Sequence, residues 1–478
     1  MRFTKIICTL GPSSNTTDKM WELVRGGMNV ARLNLSHGSL DQHLTNIRSI
    51  REINVKLQKE HGNPTCVGIL LDTKGAEIRT SDVSERIAIE AKEEVVFSSK
   101  PLPKEKRKVI LVNHEHFDVD ALEAECILID NGLLHFDIVS SDRKNGSVVA
   151  KARESGSIGS RRHVNLPGAN LSLPSVTSKD WEDIAFAAKE GVDFLALSFI
   201  REAKEVQEVR GYLKAQGAPR IGIISKIETR QAVHNIREII DASDGIMVAR
   251  GDLGVEVPFE TVPAIQDDIV ELCRQAGKPV IVATQMLESM IDDPMPTRAE
   301  VTDIAHAAST RTDATMLSGE TASGHYPVEA VQDMDRVLLA TEEHIRQGSS
   351  MQESDFDNER AARAHAAVTL AVTTNADALF VMTRSGQTAR DVARFRPSIP
   401  ILAFTDVPET QRSLQLVYGI VPILIPAFDA QDPEKAVSAA MEQGKKYGLF
   451  EKGHHVVLVS DTKADGSLIN TIQLRVIG

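Results

Sequence analysis

Eight short apolar runs, spaced by stretches with helical periodicity, constrain this chain more than any other feature. They are Lys5–Gly11, Met28–Ser36, Val67–Thr73, Asp193–Phe199, Arg220–Glu228, Gly245–Asp252, Pro279–Gln285 and Ala314–Ser318. Runs of this length read as strands buried on both faces, and strands alternating with helices give a parallel sheet. Glu260–Ala276 reads as one of the intervening helices. Thr177–Glu190 reads as another, with Trp181, Ile184, Ala185 and Ala188 expected on its core face. Eight strand–helix units is the count of a closed (β/α)8 barrel. The same units also build a doubly wound open sheet, and periodicity alone does not choose between them.

One gap has a different texture. Between Thr73 and Leu173 lie short, turn-bounded segments such as Arg86–Glu90, Glu94–Phe97, Cys126–Asp130 and Ser147–Ala150. They read as an antiparallel β domain inserted after the third strand. In a barrel, loops at the C-terminal ends of the strands surround the active site, so an insert here is placed to act as a lid. After Ala340, the polar stretch Gln347–Asp355 reads as a linker. A second βα series follows, with strands expected at Ala378–Thr383, Pro400–Thr405, Ile420–Ile425, His455–Ser460 and Ile472–Ile477.

Composition narrows the function classes. With 42% hydrophobic and 25% charged residues among 478, the chain is neither fibrous nor disordered and can bury several cores. Its 54 Lys and Arg against 67 Asp and Glu leave a net charge of −13. That argues against nonspecific nucleic-acid or anionic-membrane binding but leaves room for a locally basic site. No apolar stretch approaches the length of a membrane span, and the run after Met1 is too short for a signal peptide. Cys8, Cys66, Cys126 and Cys273 stand alone, without a CxxC pair or zinc spacing. The expectation is a soluble cytoplasmic protein with no nucleic-acid or membrane partner.

The chemistry gathers where the expected strands end. In Ala31–Gly38, Arg32, Asn34 and Ser36 alternate with apolar residues, so a strand sets all three on one face. A guanidinium beside neutral oxygen donors suits a phosphate and a weakly coordinated cation; the blander reading is a half-solvated edge strand. Lys226 and Glu228 share a face in the same way, and Asp252 ends the next strand, flanked by Gly251 and Gly254. Two carboxylates on adjacent strand ends suit Mg²⁺, whose other positions water and substrate oxygens fill. A lysine beside them suits a transferring phosphoryl group, although a bare ion pair has the same pattern. Asp72 and Thr73 can add oxygens near Asn34 and Ser36, and Thr284 offers a hydroxyl at another strand end. His37 alone is a weak candidate base. The chain has no Walker A motif, GxGxxG or GxSxG, which removes the P-loop, dinucleotide and serine-hydrolase routes.

Read in order, these segments resemble pyruvate kinase. The resemblance rests on KIICTLGP (5–12), NVARLNLSHG (29–38), LDTKG (71–75), VNLPG (164–168), SKIE (225–228), MVARGDLGVE (247–256), ATQMLESM (283–290) and MLSGETA (316–322). It covers essentially the whole chain and implies an α/β architecture. A (β/α)8 TIM barrel comes from 1–73 and 174–345, a β-barrel-like lid from 74–173, and a C-terminal α/β regulatory domain from 346–478. It implies transfer of the phosphoryl group of phosphoenolpyruvate to ADP, giving pyruvate and ATP, with Mg²⁺ (or Mn²⁺) and K⁺ as cofactors. By resemblance, Arg32 and Lys226 hold the transferring phosphate, and Lys226 stabilises the migrating charge. Glu228 and Asp252 bind Mg²⁺; Gly251, Asp252 and Thr284 bind the carboxylate end of the substrate. Asn34, Ser36, Asp72 and Thr73 ligate K⁺, and Glu77 matches the K⁺-dependent members. Asn34, His37, Arg79 and Arg162 lie near the nucleotide phosphates. Thr284 is a poor acid alone, so a water relay is expected to protonate the enolate. A homotetramer follows from the family alone. Two other classes share parts of this pattern: an Mg²⁺-dependent enolpyruvate aldolase or lyase, and a metabolite-binding protein without catalysis. Retention of Lys226, Glu228 and Asp252 speaks against the second.

Departures from the family pattern mark this chain. Ala76 replaces the usual proline after the glycine of LDTKG, which loosens the hinge into the lid. Arg161-Arg162-His163 stands where Lys-Lys-Gly is common, adding an imidazole near the nucleotide. The stretch His306–Asp313 departs from the usual helix pattern and is expected to alter packing or a subunit contact. In the C-terminal domain, Thr383, Ser385, Gly386 and Thr388 lie between a strand and a helix, where backbone N–H groups attract phosphate; a simple helix cap is the blander reading. A phosphorylated sugar or nucleotide is the expected effector class. The loop Asp461–Ser467 lacks the Trp and Arg that clamp a bisphosphate, so a monophosphate, or no effector, is expected.

Overall fold

The computed structural model describes residues 1–60, 65–346, 358–427, 433–464 and 467–478. The linker expected at Gln347–Asp355 lies outside the described residues, as do the side chains of the loop Asp461–Ser467.

The barrel begins with β1 (Lys5–Thr9), β2 (Val30–Asn34) and β3 (Gly68–Asp72). The chain then leaves it for nine short strands: β4 (Ile78–Arg79), β5 (Ile87–Ile89), β6 (Glu94–Ser98), β7 (Val109–Leu111), β8 (Ile127–Ile129), β9 (Leu134–Asp142), β10 (Ser147–Ala152), β11 (Gly156–Ile158) and β12 (His163–Asn165). It returns with β13 (Phe194–Leu197), β14 (Gly222–Ile227), β15 (Gly245–Ala249), β16 (Val280–Ala283) and β17 (Ala314–Leu317). The order β1-β17-β16-β15-β14-β13-β3-β2 closes the sheet, so the barrel and not the open sheet is what these units build.

Strand alternation explains where the site comes from. Ile7, Val30, Leu70, Phe194, Ile224, Met247 and Ile281 pack together inside the barrel, joined by Leu416 from the C-terminal domain. Two residues further along the same strands come Thr9, Arg32, Asp72 and Lys226. The period of two keeps them on the inward face, one layer closer to the C-terminal ends.

The insert is a seven-stranded sheet in the order β4-β12-β8-β9-β10-β6-β7, around a core that includes Phe97, Phe117 and Phe136. A bridge between Thr80 and Val112, with Ser81 N donating to Leu111 O at 2.8 Å, joins its two edges and curls it into a barrel-like shape. It is not antiparallel throughout: β6 and β7 run parallel, because the segment between them crosses back before pairing. Strands β5 and β11 form a separate two-stranded ribbon.

Gly75 sets the hinge. Its φ is +74°, and a Cβ there would lie 2.7 Å from Ser198 Cβ. Its N–H donates to Asp180 Oδ1 at 3.0 Å. The helix Ser178–Glu190 keeps most of its expected core face, with Ile184 buried and Trp181 and Ala188 packed against the barrel core. Its buried residues are Asp180, Asp183, Ile184 and Ala187, while Trp181, Ala185 and Ala188 are only partly covered. Asp180 is tolerated there because Gly75 and Thr177 satisfy it, and Asp183 is paired with Lys179 through one oxygen while the other has no hydrogen-bond partner. The return segment is held by Arg201, which donates to Leu171 O at 2.6 Å and Leu173 O at 2.7 Å.

The C-terminal sheet comprises β18 (Ala378–Met382), β19 (Ile401–Thr405), β20 (Ile420–Leu424), β21 (His455–Ala464) and β22 (Ser467–Val476), in the order β20-β19-β18-β21-β22. The last pair is antiparallel, and its strands are longer than the sequence suggests. This domain grips the N-terminal end of the barrel. Arg396 pairs with Asp313 at 2.5 Å, Arg412 with Asp193 at 2.7 Å, and Lys5 Nζ donates to Ile420 O at 2.6 Å. Asp313 closes the His306–Asp313 stretch, whose His306 meets Asp267 of the neighbouring helix at 2.9 Å. Among the described residues, no helix is long and apolar enough to cross a membrane.

Candidate active site

Asp72 is the centre of the charged layer. Fully buried, it receives Arg32 Nε on one oxygen at 2.7 Å, and Lys226 Nζ lies 3.3 Å from the other. Burial works to raise its pKa, but Lys226 and Arg32 more than offset that and hold the carboxyl below its ordinary range. Arg32 also donates to Thr9 Oγ1 at 2.9 Å, which fixes the guanidinium plane. Asn34 neighbours Asp72 across the β2–β3 pair, and its side-chain oxygen accepts from Ser36 N at 3.1 Å.

Lys226 stands between three oxygens. Its Nζ is 3.0 Å from Glu228 Oε1 and donates to Ser198 Oγ at 2.8 Å, in addition to its approach to Asp72. Burial pulls the ammonium pKa down, and Asp72 and Glu228 outweigh it, so the pKa is held above the ordinary lysine value. Glu228 is 1% exposed; burial and then the nearby Asp252 push its carboxyl up, against the pull of Lys226. Its Oε2 accepts from Phe199 N at 2.6 Å, while Oε1 lacks a hydrogen-bond donor in good geometry. Burial likewise raises Asp252.

The other wall carries backbone tension. Thr284 and Gln285 have φ of +69° and +55°, and Phe199 has +53°, conformations that non-glycine residues hold only when their surroundings fix them. Thr284 Oγ1 accepts from Gly251 N at 2.9 Å and donates to Ala283 O at 2.6 Å, which ties the strand end to the helix Arg250–Glu256. Arg250 locks the same turn by bonding Asp303 at 2.7 Å and Thr284 O at 2.5 Å.

The structure thus brings together Arg32, Asn34, Asp72, Thr73, Lys226 and Glu228, with Asp252, Gly251 and Thr284 beside them. Ser198 is the member that sequence reasoning missed. It donates to Thr73 O at 2.7 Å, and its backbone N–H donates to Thr73 Oγ1 at 3.2 Å. A serine within Leu197-Ser198-Phe199 carries no pattern, but its place at the end of the fourth strand could have found it. Arg79 and Glu77 pair at 2.6 Å on the lid side. His37 is exposed, and what anchors its turn is its carbonyl, which meets His43 Nε2 at 2.8 Å. Arg162 pairs with Asp130 at 3.3 Å on the lid and is not drawn into the cluster. His163 is drawn in: its Nδ1 lies 3.8 Å from Asp252 Oδ1.

The residues fit the divalent cation that the sequence implied. Glu228 Oε1 is a buried carboxylate oxygen without a proper donor, and Asp252 supplies a second carboxylate. Among the described residues, no three His, Cys, Asp or Glu converge as metal ligands, so any divalent ion here would depend on substrate and water for its remaining positions, as Mg²⁺ does. Of the oxygens expected to hold a monovalent ion, both of Asp72 face Arg32 and Lys226, Asn34 Oδ1 accepts from Ser36 N, and Thr73 Oγ1 accepts from Ser198 N.

At the other end of the molecule, Thr383, Ser385, Gly386 and Thr388 lie at the start of the seven-residue helix Gln387–Ala393. Thr383 Oγ1 already accepts from Gly386 N at 2.9 Å and Ser385 Oγ from Gln387 N at 3.3 Å. The loop caps itself, and it borders a cleft of about 650 Å³ against the barrel.

Comparison with known proteins agrees with this geometry. A family model described as pyruvate kinase, barrel domain, matches residues 1–331, and one described as pyruvate kinase, alpha/beta domain, matches 361–475. The pyruvate kinase of Sporosarcina psychrophila is 41% identical over 483 aligned residues, covering 100% of this chain and 81% of the relative. That of Bacillus licheniformis is 39% identical over 488, with the same coverage. Plastidial pyruvate kinase 2 of Arabidopsis thaliana is 41% identical over 465, covering 96% of this chain and 78% of the relative. With the barrel closed, the charged layer assembled at its C-terminal end and the match running the length of both domains, the chain belongs to the pyruvate kinase family of phosphotransferases.

Proposed function

We propose that the Arg32–Asp72–Lys226–Glu228 cluster carries the family's reaction, transfer of the phosphoryl group of phosphoenolpyruvate to ADP. The single observation behind this is the pair of fixed cations, Arg32 and Lys226, on opposite sides of one buried carboxylate. Phosphoryl transfer asks for positioning and charge neutralisation more than for covalent chemistry, and preorganised cations in a partly dry site supply both. Arg32 and Lys226 hold the transferring phosphate, and Lys226 follows the charge onto the leaving enolate oxygen. The N–H groups of Gly251 and Asp252, with Thr284, take the substrate carboxylate. Because the Thr284 hydroxyl proton is engaged with Ala283 O, the enolate receives its proton through water that Thr284 orients.

Glu228 and Asp252 would hold Mg²⁺ or Mn²⁺, and Asn34, Ser36, Asp72 and Thr73 would hold K⁺; both supply positive charge to the clustered oxyanions. Asn34, His37, Arg79 and Arg162 complete the proposed nucleotide side, the last two carried by the lid (74–173), which excludes water when it closes over the barrel (1–73 and 174–345). The C-terminal domain (346–478) is proposed to regulate. In the cleft beside Thr383, Ser385, Gly386 and Thr388, Arg210, Arg220, Lys278, Arg384 and Arg390 outnumber Asp244 and Glu409, which favours a phosphorylated sugar or nucleotide with one phosphate. Assembly as a homotetramer is supported by the exposed apolar Ile469, Leu474 and Val476 on edge strand β22 and by Phe259 and Met295 on the barrel. A cytoplasmic location belongs to the same proposal.

Chromatography of a mixture of phosphoenolpyruvate, ADP and both cations tests the reading. ATP and pyruvate in equal amounts are expected. Pyruvate with inorganic phosphate and no ATP would mean that water takes the phosphoryl group, and no turnover would point to a lyase of another substrate or to a binding protein.

A further inference from the structure

His163 is the one ring the lid extends into the charged site. It opens β12 and pairs across the sheet with Arg79 of β4. Its side chain is 12% exposed, and its Nδ1 lies 3.8 Å from Asp252 Oδ1. The ring also stands edge-on to Phe199, with centroids 6.1 Å apart at 68°. Phe199 is held at φ +53°, and its N–H is the donor to Glu228 Oε2 at 2.6 Å. One imidazole therefore faces the two carboxylates differently: Asp252 across a 3.8 Å gap, Glu228 through the strained residue that bonds it. The remaining wall is soft. A cavity of about 360 Å³, lined by His163, Phe199, Ala76, Asn165 and Glu256, lies beside the ring, and the lid is tied to the barrel at its rim by Glu125 and Arg230 at 2.6 Å.

We propose that His163 is a positioning residue for the divalent-cation site, fixing the Asp252 carboxylate and, through Phe199, the Glu228 carboxylate, so that the placement of the lid sets cation affinity. The inference rests on the assignment of Glu228 and Asp252 to the cation. The gap of 3.8 Å is wider than a hydrogen bond and closes with a small approach of the lid. The ring N–H then bonds the carboxylate oxygen, an outer partner of the kind that orients a metal ligand. The family often carries glycine at this position, so the role is specific to this chain and not part of the shared machinery.

Manganese titration of the full-length protein, read by the electron-spin resonance of free Mn²⁺ without substrate or turnover, tests it. His163→Ala is expected to weaken Mn²⁺ binding about tenfold, the lower end of what outer-partner losses cost. His163→Asn, whose amide nitrogen stands close to where Nδ1 was, is expected to restore most of the affinity, which a merely structural role would not predict. His163→Phe keeps the packing on Phe199 and loses the donor; it is expected to bind like the alanine variant and serves in its place should that variant not fold. Asp252→Asn is the control and is expected to bind more weakly than any of them. Wild-type affinity in His163→Ala or His163→Phe, with loss in Asp252→Asn, would overturn the role of His163 alone. Wild-type affinity in Asp252→Asn would overturn the cation assignment itself.

Discussion

Asp72 and Lys226 come from strands that do not pair with each other, yet their charged ends stand 3.3 Å apart. Strand β13 lies between them and fills the gap with Ser198, whose hydroxyl accepts from Lys226 Nζ at 2.8 Å and lies 3.4 Å from Asp72. Because Arg32 takes the other oxygen, one buried carboxylate keeps two like charges from repelling each other while the site awaits an anion. A phosphate entering the same layer finds its cations already oriented, so little reorganisation is left for the chemical step.

The role of Lys226 follows from that arrangement. Lys226→Met removes the only ammonium in the cluster but leaves Arg32 on the phosphate. We expect kcat to fall by about 10³-fold or more, as losses of preorganised charge do, with phosphoenolpyruvate binding largely kept. Initial rates with equilibrium binding check it, and near-normal turnover would remove Lys226 from the mechanism.

The barrel and most of its charged layer were legible because two simple periods overlap. Apolar runs marked the strands, and polar residues two apart, as in Arg32–Asn34 and Lys226–Glu228, marked the inward face at the strand ends. Ser198 was legible only through its place at the end of the fourth strand, since one small hydroxyl among apolar neighbours changes no pattern. The helix Ser178–Glu190 was legible only in part: Trp181, Ile184 and Ala188 meet the core as expected, and two aspartates join them. Asp180 and Asp183 look like solvent-facing residues, and only their partners Gly75, Thr177 and Lys179, the first on the far side of the inserted lid, make a core position tolerable for them. Nor could sequence tell that His163 reaches Asp252 while neighbouring Arg162 turns to Asp130, because that depends on how the lid sits on the barrel.

Asp72 carries stability as well as function. Asp72→Asn leaves Arg32 without its carboxylate and Lys226 with Glu228 alone in a buried layer. Breaking one partner of such a group costs about 3–5 kcal/mol. A lower midpoint in denaturant, together with loss of K⁺ dependence in the remaining activity, is expected. An unchanged midpoint would mean that solvent or another group neutralises the two cations.

The hinge should be sensitive to one methyl group. In Gly75→Ala the new Cβ would sit in a left-handed conformation and 2.7 Å from Ser198 Cβ. Strain of this kind costs about 1–3 kcal/mol. The displaced serine would also loosen Lys226, so both the melting temperature and kcat are expected to drop. A fall in stability with kcat untouched would separate Ser198 from catalysis.

Glu256 gives a pH test on the helix that carries Asp252. Burial pushes its carboxyl up from 4.5 to about 7, against the pull of Asn165 and Arg230. Because its folded pKa is above the unfolded one, its contribution is fully present below about 4.5 and is lost as pH rises through about 7. Glu256→Gln removes that loss. The variant is expected to gain on the wild type in melting temperature between pH 5 and pH 8, and parallel curves would show that Glu256 titrates normally.

The most direct measurement is the initial velocity of ATP formation against phosphoenolpyruvate, with Mg²⁺ and K⁺ each supplied or withheld. Hyperbolic or sigmoidal turnover is expected only when the divalent ion is present, with strong stimulation by K⁺ and near loss of both responses in Lys226→Met. ATP formation that is indifferent to both cations, or none under any combination, would contradict the proposed function.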